Sequence, residues 1–311
     1  MGRISLREFC AMTGWRKISI SAMFAFSVSV VAAMPRTGNA ADLPALPKAK
    51  AADTLAADEV RLYALDCGRI DESSFGGYSD TGEYDGKPRT MSAPCFVIRH
   101  PRGVLLWDTG LGDKFAAIKG GVDEDGTHLS VRVRLVDQLQ AIGLTPGGID
   151  YVAFSHLHAD HTGNANLFGH STFLMNAKEI AWASATPPPL GVDPATFGVY
   201  ESANKQVIER DHDVFGDGRV LILRAPGHTP GHQVLLLRLK KAGSVILSGD
   251  LYHSRENRQF RRVPAFNDSR ADTLAYMDRI ETLIKNLHAR LVIQHDPADF
   301  AALPTFPAYL N

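Results

Sequence analysis

Ser155-His156-Leu157-His158-Ala159-Asp160-His161 places four potential metal ligands within six residues. The apolar run at residues 151–155 leads straight into it and reads as a short buried strand. In an extended segment alternate side chains share a face, so His156 and His158 point the same way. Asp160 and His161 fall past the strand end, where a turn aims them at a second point. One tetrahedral ion could not take four ligands from so short a stretch without strain, so the pattern calls for two metals. Imidazole and carboxylate without thiolate suit zinc, iron, manganese or cobalt rather than a structural thiolate zinc site.

Three further candidates recur at strand ends. His228 lies in Pro226-Gly227-His228-Thr229-Pro230-Gly231-His232, just after an expected strand at 220–224. Asp250 lies in Ser248-Gly249-Asp250-Leu251, just after a strand at 244–248, and His295 follows a strand at 291–294. Glycine before His228 and before Asp250 lets backbone approach a site closely. A carboxylate such as Asp250 can bridge two cations and offset their repulsion.

Other strands are expected at 60–66, 94–99, 104–107, 171–175 and 233–239, with a turn at 100–103. Apolar spacing predicts helices over 127–144, 177–183 and 269–289. Ser269 caps the last, with Asp272 three residues on. Residues 71–89, rich in Gly, Ser and Asp, read as a surface loop. Residues 186–200 hold too many prolines and glycines for a regular element and read as either a lid or a passive loop. Strands and helices interleave without a repeat, so the class is mixed α and β. His100, His128, His170, His212 and His288 fall in loops or at helix ends and read as solvated. His232 reads as support for a ligand or as a packing histidine, and Asp108 as a supporting or turn-forming carboxylate.

The chain has 311 residues, 45% hydrophobic and 22% charged, which excludes a disordered or collagen-like chain. Arg3, Arg7, Arg16 and Lys17 precede an apolar run at 18–34, followed by Gly38-Asn39-Ala40. This reads as a secretory signal over residues 1–40, cleaved after Ala40 and leaving no stable membrane anchor. The mature protein is then expected in the periplasm or secreted. Residues 41–57, rich in Ala, Pro and Lys, read as a flexible linker, and residues 58–311 as one domain. Cleavage removes five basic residues (the four named and Arg36) and one acid (Glu8) from totals of 33 and 34, leaving a net charge of −5. That argues against nucleic acid as a partner. Cys10 leaves with the signal. Cys67 and Cys95 either pair in an oxidising compartment or act as two small buried hydrophobes.

The ordered set His156-x-His158-x-Asp160-His161, His228, Asp250 and His295 resembles the metallo-β-lactamase superfamily. Trp107-Asp108-Thr109-Gly110 is similar to that superfamily's early Asp-x-Gly-type turn. The resemblance runs from about residue 60 to the C-terminus and implies an α+β four-layer αββα sandwich, with the metals at one edge of the two sheets. Residues 155–163, 227–233 and 249–257 most resemble the N-acyl-homoserine lactone hydrolases, the quorum-quenching lactonases. The resemblance implies two divalent metal ions, zinc first, with iron, manganese or cobalt also compatible. One is taken by His156, His158 and His228 and the other by Asp160, His161 and His295, with Asp250 and a hydroxide bridging. The implied substrate is a small acyl lactone opened by that hydroxide, with Asp160 relaying a proton. A homodimer is compatible with the resemblance.

One position departs from the family. Where such lactonases carry a tyrosine three residues past the bridging aspartate, this chain has His253, with Tyr252 one earlier. Either His253 or Tyr252 then donates to the substrate carbonyl, and neighbours in an extended segment face opposite ways. Other activities of the superfamily fit less well. β-Lactamases usually lack an aspartate at the bridging position, and the tail from Pro297 has no Lys or Arg for an anionic thioester. Another ester, lactone or phosphotriester hydrolase, or a metal-binding protein without catalysis, are the alternative readings.

Overall fold

The run Gln233–Leu239 (QVLLLRL) is buried along nearly its whole length. Alternation sends Leu235 and Leu237 to one face of the strand and Val234 and Leu236 to the other, and each pair enters a different apolar core. Such a strand needs cover on both sides. The computed structural model, which describes residues 55–311, supplies it as two stacked sheets with helices outside. The expected signal over residues 1–40 and most of the expected linker lie outside the described residues.

The first sheet has the order β1 (Arg61–Leu65), β4 (Cys95–His100), β5 (Gly103–Trp107), β8 (Tyr151–Ala153), β9 (Thr172–Asn176) and β10 (Asn204–Ile208). From β5 onward its strands are parallel. The second sheet has the order β11 (His212–Asp213), β12 (Val220–Arg224), β13 (Gln233–Leu239), β14 (Gly243–Leu247) and β15 (Arg290–Val292). Leu62, Phe96, Leu105 and Trp107 from the first sheet meet Ile222, Leu235, Leu237 and Leu247 from the second in the central core. Burying each such side chain contributes about 1.5–3 kcal/mol.

Helix α1 (Leu135–Ala141) sets Leu135 and Leu139 into the core outside the first sheet, with Leu65, Val97 and Leu106. Helices α2 (Ala159–Thr162) and α3 (Ala177–Ala183) follow β8 and β9. Two more, α4 (Arg255–Phe260) and α6 (Pro297–Ala301), flank the long α5 (Arg270–Leu287), which covers the second sheet through Met277 and Ile280. Ser269 Oγ accepts the Asp272 N–H at 3.2 Å, so the expected cap forms. The architecture is the αββα sandwich.

Two expectations fail in one place. Residues 127–144 are not one helix: β7 (Thr127–Ser130) forms a hairpin with β6 (Val122–Glu124), and only Leu135–Ala141 is helical. The turn is Asp125-Gly126, both at positive φ (46° and 91°), an Asp-Gly hairpin signal that the helical spacing masked. Residues 71–89, expected as a surface loop, are largely built into the fold. β2 (Arg69–Glu72) pairs with β7 and with β3 (Arg89–Ser92), making a third, four-stranded sheet. Phe75, Tyr78 and Tyr84 from the intervening stretch are buried with Ile70, Met91 and Leu129. Their burial outweighs the polar composition of the segment.

Cys67 and Cys95 form a disulfide with Cα atoms 5.7 Å apart. It ties off the excursion that carries β2 and β3. Closing a loop of sequence separation 28 contributes about 3–4 kcal/mol in the chain-entropy account. The C67S/C95S double variant should therefore melt well below the parent in a thermal scan. An unchanged melting temperature would show that the excursion holds itself in place.

Candidate metal centre

The seven candidate ligands converge at one edge of the sandwich, from the C-terminal ends of β8, β12, β14 and β15. His156 and His158 follow β8, and Asp160 and His161 lie on α2. His228 follows β12, Asp250 sits in the 3-10 turn Gly249–Leu251 after β14, and His295 follows β15.

They form two groups. In the first, His156 Nε2 lies 2.8 Å from His158 Nδ1 and 3.2 Å from His228 Nε2, and the last two are 3.2 Å apart. In the second, His161 Nε2 and His295 Nε2 are 3.3 Å apart, and Asp160 Oδ2 is 3.5 and 3.4 Å from them. A tetrahedral zinc with Zn–N bonds of about 2.0–2.1 Å needs ligand-to-ligand edges of about 3.3 Å. The second group matches that edge, as do the two edges to His228 in the first, where the His156–His158 edge is shorter.

Asp250 stands between them. Its Oδ2 is 3.3 Å from His228 Nε2, and its Oδ1 is 3.2 Å from His161 Nε2 and 3.0 Å from His295 Nε2. Oδ1 is buried and accepts no hydrogen bond among the described residues. His295 Nδ1 donates to the Ser92 carbonyl at 2.7 Å, and His161 Nδ1 to Asp108 Oδ2 at 3.0 Å. Loss of the Nε2 proton, which metal binding requires, therefore turns a lone pair of each ring toward the Asp250 oxygen. Lone pairs facing lone pairs in a buried space fit cations between them. The His156, His158, His228, Asp250 group and the Asp160, His161, His295 group could each hold one ion.

Electrostatics divide the same way. Burial pushes His158 down to about 4 and His156 and His228 well below their usual value, so these rings are neutral donors at neutral pH. Burial also acts against charge on His161 and His295, but the carboxylates of Asp160 and Asp250 outweigh it and raise both. The many imidazoles around Asp250 overcome its burial and hold its carboxyl well below the ordinary range.

A buried framework aims the ligands. Asp108 Oδ1 accepts the Ser155 N–H at 2.7 Å, while Oδ2 holds His161 and accepts from Gln294 Nε2 at 2.8 Å. Gln294 Oε1 accepts from Trp107 Nε1 and from the Gly249 N–H. His232 donates through Nδ1 to the Ala225 carbonyl and accepts the Asp250 N–H through Nε2 at 2.8 Å, so it supports a ligand. Gly249 is at φ +48°, and a Cβ there would sit 2.6 Å from His232 Nε2, so only glycine allows this approach.

Sequence reasoning missed Gln294 and Glu179. Glu179, on α3, accepts from the Leu157 N–H at 2.9 Å, from Thr229 Oγ1 at 2.7 Å and from the Gly231 N–H at 2.9 Å. It ties the His156–His158 stretch to the His228 loop. Residues whose partners come from distant loops leave no local pattern to find.

The pocket over the two groups has Ile70, Leu129, Leu190 and Phe266 as apolar walls, with Glu72, Tyr78, Thr127 and His253 among its polar ones. The 186–200 segment reaches it at Leu190 and Gly191. His253 lies in the pocket, its Nε2 2.9 Å from Asp250 Oδ2 and its ring stacked on that of His295. Tyr252 turns the other way, as neighbours in extended backbone do. Its hydroxyl donates to Glu281 Oε1 at 2.9 Å and its ring joins the core beneath α5. His100, expected to be solvated, is buried, with Nε2 2.9 Å from Asp217 Oδ2 and its ring stacked on Phe215.

The family model for the metallo-beta-lactamase superfamily matches residues 89–295. The chain belongs to that superfamily. N-acyl homoserine lactonase AttM of Azorhizobium caulinodans is 28% identical over 263 residues, covering 81% of this chain and 99% of that protein. A solved N-acyl homoserine lactone hydrolase, with the product N-hexanoyl-L-homoserine at its catalytic metal centre, superposes with a TM-score of 0.69 at 24% identity. It covers 80% of this chain and 98% of the other. AidC, a dizinc quorum-quenching lactonase, superposes with a TM-score of 0.59 at 18% identity, covering 82% and 91%. These superpositions show that the superfamily's fold extends over the described domain.

Two predictions concern Glu179. Glu179→Ala should weaken metal retention by about 10- to 100-fold, read by chelator competition, because the two ligand stretches lose their common anchor. Unchanged retention would show that the stretches hold themselves. Burial also raises Glu179 to about 7. The folded state then binds a proton more tightly than the unfolded one between about pH 4.5 and 7, so stability falls as pH rises through that window. In chelated protein, the parent should lose about 3 kcal/mol more than Glu179→Gln between those limits. Parallel pH–stability curves would contradict this.

Proposed function

We propose that the protein is a dinuclear metal-dependent hydrolase that opens the lactone ring of N-acyl-homoserine lactones, a quorum-quenching activity. The observation that carries the reading is Asp250, with one carboxylate oxygen turned to each ligand group. Similarity to lactonases along nearly their full length supports the substrate class. Zinc is the first choice of metal, supported by the dizinc neighbour and by the all-imidazole and carboxylate donor set, with iron, manganese and cobalt compatible.

When bound, two divalent cations lower the pKa of water toward neutrality and polarise an ester carbonyl. His156, His158 and His228 would hold one and Asp160, His161 and His295 the other, with one Asp250 oxygen turned to each group. His253, the pocket imidazole outside both groups, turns its Nε2–H from Asp250 Oδ2, 2.9 Å away, to the carbonyl oxygen as negative charge develops on it. Water oxygen adds to the acyl carbon, the ring C–O bond breaks, and Asp160 on the pocket wall takes the proton that the water gives up and passes it to the leaving alkoxide. The product is the open-chain hydroxy acid. The apolar walls exclude water and receive the acyl chain. The Cys67–Cys95 disulfide and the leader-like residues 1–40 support a periplasmic or secreted protein.

The test is proton release from acyl-homoserine lactones by metal-loaded protein, with a phosphotriester and a penicillin alongside. Fast release from the homoserine lactones, abolished by chelation, is expected, and release from the phosphotriester alone would overturn the reading. Asp250→Ala should lose metal and turnover together. His253→Phe should lower kcat by about 10²–10³-fold with KM nearly unchanged. A change confined to KM would place His253 in binding only.

A further inference from the structure

Glu72 is a buried carboxylate in the pocket wall, 8% exposed, at the end of β2. Its Oε1 accepts from the Tyr78 hydroxyl at 3.3 Å, and its Oε2 from Thr127 Oγ1 at 2.8 Å. No cation pairs with it among the described residues. Tyr78 and Thr127 each fill one acceptor position, and a carboxylate has about four. The unused positions belong to an acid held rigidly by two neighbours and placed in the same pocket as Asp160, Asp250 and His295. A buried, unneutralised carboxylate is costly, and the fold already has two neutral donors in place to hold it. Such a group fits a hydrogen-bond donor on the ligand.

We propose that Glu72 is the specificity residue of the pocket: it accepts the amide N–H of the substrate and so selects neutral lactones with an amide beside the ring. This rests on the lactonase reading above. An N-acyl-homoserine lactone offers one hydrogen-bond donor, the amide N–H on the carbon next to the ring carbonyl. The carbonyl is drawn to the Asp250 side of the pocket, which leaves the amide for the wall. A plain γ-lactone has no donor to give. An anionic ester meets an uncancelled negative charge. Tyr78 has a supporting part: its hydroxyl is committed to Glu72, and its ring stacks on Phe75 and meets the His253 ring edge-on.

The experiment compares three substrates of matched chain length with metal-loaded protein: an N-acyl-homoserine lactone, its N-methyl amide analogue and a plain γ-lactone. For the parent, kcat/KM should fall at least tenfold on N-methylation. In Glu72→Gln the unmethylated substrate should lose about 10- to 100-fold, the range expected for a hydrogen bond to a charged group. Gln has one uncharged acceptor oxygen in place of two charged ones, and its NH2 takes the place of the other, so the substrate N–H loses its charged acceptor. The γ-lactone should change less than twofold, and the penalty for N-methylation should disappear. Equal losses on the amide lactone and the γ-lactone would make Glu72 a structural residue and overturn the proposal. A parent enzyme indifferent to N-methylation would also overturn it, without need of the variant, and would leave the lactonase reading intact. A parent that hydrolyses neither lactone would overturn that reading, and the proposal with it.

Discussion

Asp250 must satisfy two ligand groups at once, and much of the edge of the sandwich is arranged around that demand. One oxygen faces the neutral imidazoles of His156 and His228, the other the rings of His161 and His295. Its backbone is held by His232, and the glycine before it is pinned by Gln294. Gln294 in turn bonds Asp108, which holds His161 and the chain at Ser155. The four strand ends are thus locked to one another through buried polar groups that are themselves satisfied. A network of this kind is rigid because removing one member leaves a buried donor or acceptor unpaired, at about 1–3 kcal/mol.

The third sheet supplies what the sandwich alone lacks. The two main sheets bring the ligands to one edge but build little of the wall opposite. Residues 67–95 leave the first sheet at Cys67, form β2 and β3, and return at Cys95, where the disulfide closes them. Ile70, Glu72 and Tyr78 come from this excursion, and Thr127 and Leu129 from the hairpin that pairs with it. The pocket therefore sits between a rigid ligand framework and an added sheet with its own small core.

The ligand set was legible because each member follows an apolar strand and sits in a short polar motif. The spacing of His156, His158, Asp160 and His161 already required two directions of approach. The central strands were legible for the same reason, since runs such as Gln233–Leu239 carry their burial in their composition. The third sheet was not. Thr127 to Leu129 is too short to show a period of two, and the helix beginning at Leu135 extended its apolar spacing over them. Glu72, Glu179 and Gln294 act through partners far away in sequence, so no local pattern marks them. Tyr252 and His253 could be separated only by seeing which way the chain runs after Asp250.

The central claim is that one carboxylate joins two metal sites. Electron paramagnetic resonance of the cobalt-loaded protein tests it directly, together with a count of metal per chain. The account predicts two cobalt ions per chain, with a signal diminished by spin coupling through a shared ligand. One ion per chain, or two ions giving independent signals, would contradict it.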